Sequence, residues 1–243
     1  MGKIIVSENI SLDGVVQDPT GEEGTSFGGW FLQIGDKDHE AWAKIGFEEA
    51  MGAEAMLLGR HSDEWLATRW LSRTGAWADR LNTMPKYVVS STIEEAKWTN
   101  STVLKGDVVT EVSKLKQELD GEIVVYASNQ LVHTLLEHDL VDELRLMIFP
   151  AVLGAGERLF GENTGKRSMR LVHTQTVGDS LALLTYELVQ AASPGSGGGL
   201  LSRSSGRICA RTSPVCPLFV SKKPDIWRGC GGTGGANPRS AGL

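Results

Sequence analysis

The chain has 243 residues, of which 41% are hydrophobic and 22% charged. This composition is that of a globular protein and excludes collagen-like, wholly disordered and small disulfide-rich classes. No apolar run approaches the roughly 20 residues of a membrane-spanning helix, and Glu8 follows a run too short for a secretory signal peptide. We therefore expect a cytoplasmic protein that does not engage a membrane.

Residues 1–190 alternate short β-rich runs with segments of helical period, the pattern of an α/β domain. The last two runs flank a short turn at 177–180 and are expected to form an antiparallel hairpin at one edge of the sheet. The sheet is predicted to be mixed and mostly parallel, with helices on its faces. The predicted strands span residues 3–10, 53–58, 86–90, 102–104, 123–126, 143–149, 168–176 and 180–188.

Two of the predicted helices have clear signals. The first spans residues 36–51 and directs Trp42, Ile45 and Phe47 toward one side. The second follows Asp107, the type of residue that caps a helix N-terminus, and carries an apolar stripe at i, i+4, i+7 and i+11.

The segment 191–243 differs in composition from the rest of the chain. It carries a net charge of +6 against −12 for residues 1–190, together with 11 of the 29 glycines and 5 of the 8 prolines. We predict a disordered tail, either a linker, a remnant of an expression vector or a reading-frame extension. Its three cysteines, Cys209, Cys216 and Cys230, lack the spacing of a zinc site or a redox dithiol.

The charge of −12 on residues 1–190 repels phosphate backbones, so we expect no nucleic-acid partner for this part. His133 and His138 are five residues apart and miss the i, i+4 spacing of a helical metal pair. No metal is predicted.

Gly59, Arg60, His61 and Ser62 follow a buried-type strand and are able to start a helix. Backbone N–H groups at a helix start favour an anion, and Arg60 and Ser62 can bind phosphate oxygens. The alternative is an ordinary strand-to-helix turn with a solvated arginine.

Two more junctions resemble the first. Ala127 to Gln130 open a helix after the strand at 123–126, with Ser128 as the expected N-cap, and Ser90, Ser91 and Thr92 follow another strand. Ligands of open α/β sheets bind at the carboxyl ends of strands, so the three junctions predict a cleft for an extended phosphorylated ligand. The alternative is a set of capping and turn residues. Neither the G-x-G-x-x-G fingerprint nor a P-loop occurs in residues 1–190.

Five segments together resemble the dihydrofolate-reductase-like superfamily, and within it the reductase domain of the bifunctional riboflavin-biosynthesis deaminase/reductase. The resemblance covers residues 3–189, and the last segment is the most specific. The segments are SLDG at 11–14, LLGRHS at 57–62, PKYVVSST at 85–92, IVVYASNQLV at 123–132 and LVDELRLMIFPAVLGAGERLF at 140–160.

The resemblance implies a mixed sheet flanked by helices that binds NADPH in extended form beside a pteridine- or pyrimidine-like ring. It assigns Gly59, Arg60, His61 and Ser62 to the cofactor phosphates. It assigns Ser90, Ser91 and Thr92 to the adenosine-phosphate side. The turn under the pyrophosphate matches Ala127, Ser128, Asn129, Gln130 and Leu131.

The sequence departs from the family at two points. Ala127 occupies a turn that usually reads Gly-Gly or Gly-Ser, and its Cβ is expected to limit the approach of a pyrophosphate. Val15 follows SLDG where riboflavin reductases commonly carry lysine, which questions a phosphoribosylaminopyrimidine substrate.

The resemblance also implies a carboxylate on the first helix that contacts the substrate ring. Asp36, Asp38 and Glu40 lie in the corresponding region, and we select Asp38; the alternative is a solvated acid in the first helical turn. Trp30, after two glycines, is expected to form an aromatic wall over the ring together with Phe31. Trp65, Trp70 and Trp77 are expected to pack in the core or at a dimer surface.

These observations predict a cytoplasmic, homodimeric NADPH-dependent reductase that acts by direct hydride transfer on a pteridine or aminopyrimidine-derived substrate. The reaction expected from the resemblance is that of 5-amino-6-(5-phosphoribosylamino)uracil reductases. The alternatives are dihydrofolate reduction and a nucleotide- or heterocycle-binding module without turnover.

Overall fold

The structure is a computed structural model that describes residues 1–161 and 165–189. The predicted tail at 191–243 lies outside the described residues. Within them, eight strands form one sheet. The strands are β1 (Lys3–Ser11), β2 (Ala55–Gly59), β3 (Lys86–Val89), β4 (Ser101–Leu104), β5 (Glu122–Tyr126), β6 (Glu143–Phe149), β7 (Met169–Val177) and β8 (Leu181–Leu188).

The strands lie in the order β4-β3-β2-β5-β1-β6-β8-β7. Neighbouring strands from β4 to β6 are parallel, whereas β8 is antiparallel to both β6 and β7. The predicted mixed sheet with a C-terminal antiparallel hairpin is therefore confirmed, and each predicted strand lies within two residues of the observed one.

Five α-helices of the described residues cover the two faces of the sheet, and a short 3-10 helix (Trp30–Gln33) precedes them. They are α1 (Asp36–Gly52), α2 (Arg60–Trp70), α3 (Ala76–Thr83), α4 (Val108–Glu118) and α5 (Asn129–Glu137). Apolar residues of α4 and α5 pack on one face, and apolar residues of α1, α2 and α3 pack on the other. The Asp107 carboxylate caps α4 as predicted by accepting a hydrogen bond from Thr110 N.

The sequence gives weak signals for α2 and α3. Two of the four buried residues of α2 are polar, Ser62 and Asp63, so the helix has no continuous apolar stripe. The eight residues of α3 are too few for a periodic pattern to stand out. Asp63 is satisfied in the interior by the backbone N–H groups of Lys97 and Trp98.

No helix in the described part of the chain is long and apolar enough to cross a membrane. Among the same residues, no group of three or more His, Cys, Asp or Glu side chains has an arrangement that could hold a metal ion.

Candidate active-site cleft

A cleft of about 1310 Å³ opens at the carboxyl ends of β2, β3 and β5. It begins where β5 ends, because Tyr126 pairs with Ser7 while β1 continues to Ser11 without β5 beside it. Such a crevice beside a strand end is where open α/β sheets bind ligands. All twelve residues predicted to bind a cofactor line this one cleft: Gly59, Arg60, His61, Ser62, Ser90, Ser91, Thr92, Ala127, Ser128, Asn129, Gln130 and Leu131. We call the part formed by residues 59–62, 90–92 and 127–131 the junction half.

Two helices start in the junction half. α2 begins directly after Gly59 and α5 directly after Ser128, and no side chain caps the first turn of either helix. The first N–H groups of both helices therefore lack side-chain partners. The positive ends of two helix dipoles at one cleft favour a ligand with more than one anionic group, such as a pyrophosphate.

Ser128 does not cap α5 as expected. Its hydroxyl accepts a hydrogen bond from Gly59 N at 3.0 Å and donates to Tyr126 O at 3.2 Å. The side chain thus joins the ends of β2 and β5, and the Gly59 N–H is already engaged. The ligand-binding N–H groups at this junction are therefore expected to come from residues after Gly59.

Ala127 and Ser128 both adopt left-handed backbone conformations, with φ of 51° and 65°. Glycine adopts this conformation without cost, whereas a residue with a Cβ is strained by about 1–2 kcal/mol. The backbone of this turn is consequently the one that glycine would form. The departure from the family pattern adds strain and a methyl group without changing the path of the chain.

The other junction residues supply charge and hydroxyl groups. Ser90 Oγ lies 3.2 Å from Thr92 Oγ1 and accepts a hydrogen bond from Thr92 N, so these two residues form a compact turn. The Arg60 guanidinium lies 3.4 Å from Glu64 and is partly exposed. An exposed pair of this length is weak, so the guanidinium can exchange it for a ligand anion.

Asn129 has a buried oxygen, Oδ1, without a hydrogen-bond partner, while its Nδ2 donates to Glu157 at 3.3 Å. Buried polar atoms in proteins are nearly always paired. An unpaired acceptor at the N-terminus of α5, within the cleft, indicates a place where a ligand donates a hydrogen bond to Asn129.

The opposite part of the cleft is built from aromatic and acidic side chains. We call it the acidic half and define it by Glu8, Trp42, Glu49, Trp77, Tyr126 and Arg145, all of which line the cleft.

Three tryptophans contribute to the cleft beyond what the sequence predicts. Trp70 and Trp77 pack against the core as predicted, and together with Trp65 they also line the cleft. Trp77 is central, since its ring lies 5.0 Å from that of Trp70 and 5.8 Å from that of Trp42. Together the rings offer flat apolar surface, which suits a planar ligand.

Arg145 holds the acidic half in place from β6. Its guanidinium lies 3.1 Å from Glu49, 2.9 Å from Glu122 and 2.6 Å from Glu143. Burial alone would lower the pKa of Arg145, but these carboxylates raise it above the ordinary value. Glu49 projects from α1 with a side chain only 8% exposed.

Tyr126 and Glu8 show how strongly this region disfavours further negative charge. Burial, and then the Glu49 carboxylate, raise the pKa of Tyr126. The same two causes, in the same order, raise the pKa of Glu8 well above its ordinary value. In this region a carboxyl group without a cation retains its proton to higher pH than in water.

The two residues predicted to be catalytic lie elsewhere. Asp38 is buried at the β7–β8 turn, where its carboxylate accepts hydrogen bonds from Asp179 N, Ser180 N and Ser180 Oγ. Trp30 is 1% exposed, packs edge-on against Phe149, and donates to Gln17 O. Neither residue lines the cleft, whereas Phe31 does.

Sequence reasoning missed Glu8 and Glu49, although the sequence contains a signal for each. Glu49 extends the stripe of Trp42 and Ile45 at i, i+3 and i+7, so it shares their inward side of α1. Glu8 is an acid inside the predicted first strand, between the polar residues Ser7 and Asn9. An acid in such a position is rare without a functional or structural reason.

The comparisons with known proteins concern the family and the fold. The sequence profile of the family described as the RibD C-terminal domain matches residues 2–183. The chain is 26% identical over 193 residues to YyaP, an uncharacterized protein of Bacillus subtilis, and the match covers 76% of this chain and 94% of YyaP.

Two solved structures share the fold. One is a protein of Shewanella sp. PV-4 named for riboflavin biosynthesis, with 21% identity, a TM-score of 0.57, and coverage of 77% of this chain and 99% of that one. The other is the diaminohydroxyphosphoribosylaminopyrimidine deaminase/5-amino-6-(5-phosphoribosylamino)uracil reductase of Thermotoga maritima, with 15% identity and a TM-score of 0.53. This second match covers 77% of the present chain and 57% of the bifunctional protein.

Proposed function

The chain belongs to the RibD C-terminal domain family, and on that premise we propose that it is an NADPH-dependent reductase of a pteridine or aminopyrimidine-derived ring. The observation that carries the proposal is the convergence of three separately predicted segments, twelve residues in all, on one cleft at the carboxyl ends of three strands. Membership of the family supports an oxidoreductase; the cofactor and the substrate are our inference.

The junction half fits a dinucleotide phosphate cofactor. Two uncapped helix N-termini suit its pyrophosphate, and the unpaired Asn129 Oδ1 suits a donor of the same ligand. The Cβ of Ala127 is a feature that opposes a close approach of the pyrophosphate to the backbone. When bound, the cofactor supplies the hydride, and the protein supplies its position and a dry surrounding.

A preference for NADPH over NADH follows from the residues around Arg60. A 2′-phosphate needs a cation and hydroxyl donors, and Arg60, Ser90, Ser91 and Thr92 provide both on the rim of the cleft. Charge-assisted hydrogen bonds of this type contribute about 1.5–3 kcal/mol each. We therefore propose that Arg60 distinguishes the two cofactors.

The acidic half is proposed to hold the heterocycle. Trp42, Trp77 and Phe31 supply flat walls that exclude water, and Glu49 supplies a buried carboxylate at their base. We therefore assign to Glu49 the role of the first-helix acid that the sequence suggested for Asp38. Arg145 fixes the orientation of Glu49 and balances its charge.

The experiment that tests the function has two stages. The full chain is first titrated with NADPH and with NADH, and tryptophan fluorescence and thermal stability are followed. NADPH oxidation is then measured with 5-amino-6-(5-phosphoribosylamino)uracil and with dihydrofolate. Selective NADPH binding with turnover of the first compound supports the proposal.

The other outcomes separate the alternatives. Turnover of dihydrofolate alone would select dihydrofolate reduction. Cofactor binding without turnover of either compound would select a binding module. Absence of binding of both cofactors would overturn the reductase. The homodimer also stays a prediction, which light scattering measures.

A further inference from the structure

Glu8 is a carboxyl group in the cleft that the cofactor and the ring-contacting acid do not explain. It lies on β1 just beyond Ser7, where β5 has ended, and it lines the cleft. Its Oε1 is buried and has no hydrogen-bond partner in the protein. A buried polar atom at the wall of a ligand cleft, without a protein partner, is placed to meet a ligand.

Among the described residues, no ion pair includes Glu8. The titratable groups that line the cleft include Glu49 from α1, Tyr126 from β5, Arg145 from β6 and Glu157 from the loop after β6. Three further cations line it, Arg60 and Arg69 of α2 and Arg73 after it, and they lie against Glu64, Glu22 and the Trp70 ring, respectively. The side chains of α5 that line the cleft, Asn129, Gln130, Leu131 and Thr134, are uncharged.

Arg145, the cation of β6, is already bound to three other carboxylates. Ionised Glu8 would therefore add an unpaired negative charge beside Glu49, in a buried place. The neutral acid is the form that this arrangement stabilises.

A neutral carboxyl group differs from a carboxylate in what it offers a ligand. It carries an O–H donor, whereas a carboxylate only accepts hydrogen bonds. The ligand must then present an acceptor, such as a ring nitrogen with a free lone pair. The Glu49 carboxylate, which pairs with Arg145, offers only acceptors in the same half of the cleft.

We infer that Glu8 is the proton donor of the reductase, giving its carboxyl proton to the nitrogen of a C=N bond in the bound substrate. The inference rests on the proposed function and assigns the substrate class as heterocyclic compounds with an unprotonated imine-type nitrogen, either in the ring or at the C=N bond formed when a ribosylamino group opens. A carboxyl group that lines the cleft has access to a bound ligand, and access is the first requirement of a general acid.

The step balances in atoms and electrons. A bound NADPH would supply the hydride, whose electron pair forms a C–H bond on the carbon of C=N, so the cofactor would be oxidised and the substrate reduced by two electrons. The π electrons of C=N form the N–H bond with the Glu8 proton. Glu8 is left as a carboxylate and regains a proton from water before the next turnover.

The protonation state of Glu8 is tested without any substrate. Infrared difference spectra of wild type against Glu8→Gln at pH 7 are expected to contain the band of a protonated carboxyl group. The matched control is Glu48→Gln, which removes an exposed carboxylate of α1 next to Glu49 and is expected to lack that band. An ionised carboxylate signal from Glu8 would overturn the inference, whatever the function.

The proton-transfer role is tested by the pH profile of NADPH oxidation with the substrate that the full chain turns over. Because the donor must be protonated, the wild-type rate is expected to fall as the pH rises through the pKa of Glu8. Glu8→Gln is expected to lose about 10²- to 10⁴-fold in kcat together with this pH dependence, and Glu8→Asp to recover part of both. NADPH affinity is expected to be unchanged.

These results separate the inference from the function on which it rests. If wild type binds and oxidises NADPH while Glu8→Gln retains its rate and its pH profile, the proton-donor role is wrong and the reductase stands. If wild type fails to oxidise NADPH with either compound, the reductase and the donor role both fall. If Glu8→Gln does not fold, ¹³C NMR titration of the glutamate carboxyls in wild type gives the protonation state, and Glu8→Asp gives the kinetics.

Discussion

The two halves of the cleft are built differently from the same chain. The junction half comes from three short segments, 59–62, 90–92 and 127–131, each located where a strand ends. The acidic half collects single residues from β1, α1, α3, β5 and β6. The junction half can be identified from residues that are adjacent in the sequence. The acidic half forms only when the sheet order brings distant segments together.

The largest effect is expected from Arg145, which stabilises the acidic half. Arg145→Met leaves Glu49, Glu122 and Glu143 without their shared cation, and loss of a largely buried partner costs about 3–5 kcal/mol. Since the side chain is 21% exposed, we expect a loss near the lower end of this range in urea unfolding.

The matched control for this variant is Arg170→Met on the edge strand β7. The Arg170–Glu187 pair is exposed, so its removal is expected to cost less than about 1 kcal/mol. Equal losses in the two variants would show that the Arg145 network has no special weight in the stability of the fold.

The second effect tests the junction half. Arg60→Ala is expected to weaken NADPH binding about 10- to 100-fold by removing charge-assisted hydrogen bonds to the 2′-phosphate. NADH, which lacks that phosphate, serves as the internal control and is expected to bind nearly as before. Calorimetric titration of both cofactors gives the comparison, and equal weakening of both would contradict the assignment.

The sequence predicted the sheet and the junction half because both depend on local patterns. β-rich runs and strand-to-helix turns extend over four to nine residues, so their positions do not depend on the rest of the fold. Asp38 was selected as the residue that contacts the substrate ring because it lies in the first turn of the predicted helix. Only the hairpin returning at 177–180 reveals that its carboxylate is used there.

Trp77 and Glu49 illustrate the same limit. The Trp42, Ile45 and Glu49 stripe shows which side of α1 is inward, but nothing in the sequence shows what α1 meets on that side. The cleft wall results from the packing of α3 against α1, where the rings of Trp77 and Trp42 come within 5.8 Å. Contacts between elements so distant in sequence have no local signature.

A third, smaller effect is expected at the hairpin. Asp38→Asn weakens the charge-assisted bonds to the 179–180 turn and is expected to lower the Tm by a few degrees without changing NADPH affinity. The Ser180 hydroxyl and the backbone N–H groups of the turn lower the pKa of Asp38.

The sign of the pH effect follows from that lowered pKa. The unfolded-state pKa is about 3.9, so the stabilisation is fully present above this pH and is lost as the pH falls through the lower pKa of the folded state. In thermal melts, the Tm difference between wild type and Asp38→Asn is expected to narrow as the pH is lowered from 7 to 3. A Tm difference that is constant with pH would contradict this linkage. A lower NADPH affinity of Asp38→Asn would indicate that Asp38 does contribute to the ligand site.

The smallest effect is expected at Ala127, where the junction half departs from its family. Ala127→Gly relieves about 1–2 kcal/mol of left-handed strain but increases the conformational entropy of the unfolded chain by about 0.4–1 kcal/mol. The net gain in the free energy of unfolding is therefore expected to be about 1 kcal/mol or less, measured by urea unfolding.

The same variant is expected to strengthen cofactor binding. Removing the Cβ opens the floor under the pyrophosphate, so Ala127→Gly is expected to tighten NADPH and NADH by a similar small factor, because both carry that group. Ala127→Ser is the matched comparison, since it keeps the Cβ and the strain. Tightening by Ala127→Gly of NADPH alone would place the 2′-phosphate, and not the pyrophosphate, at the start of α5.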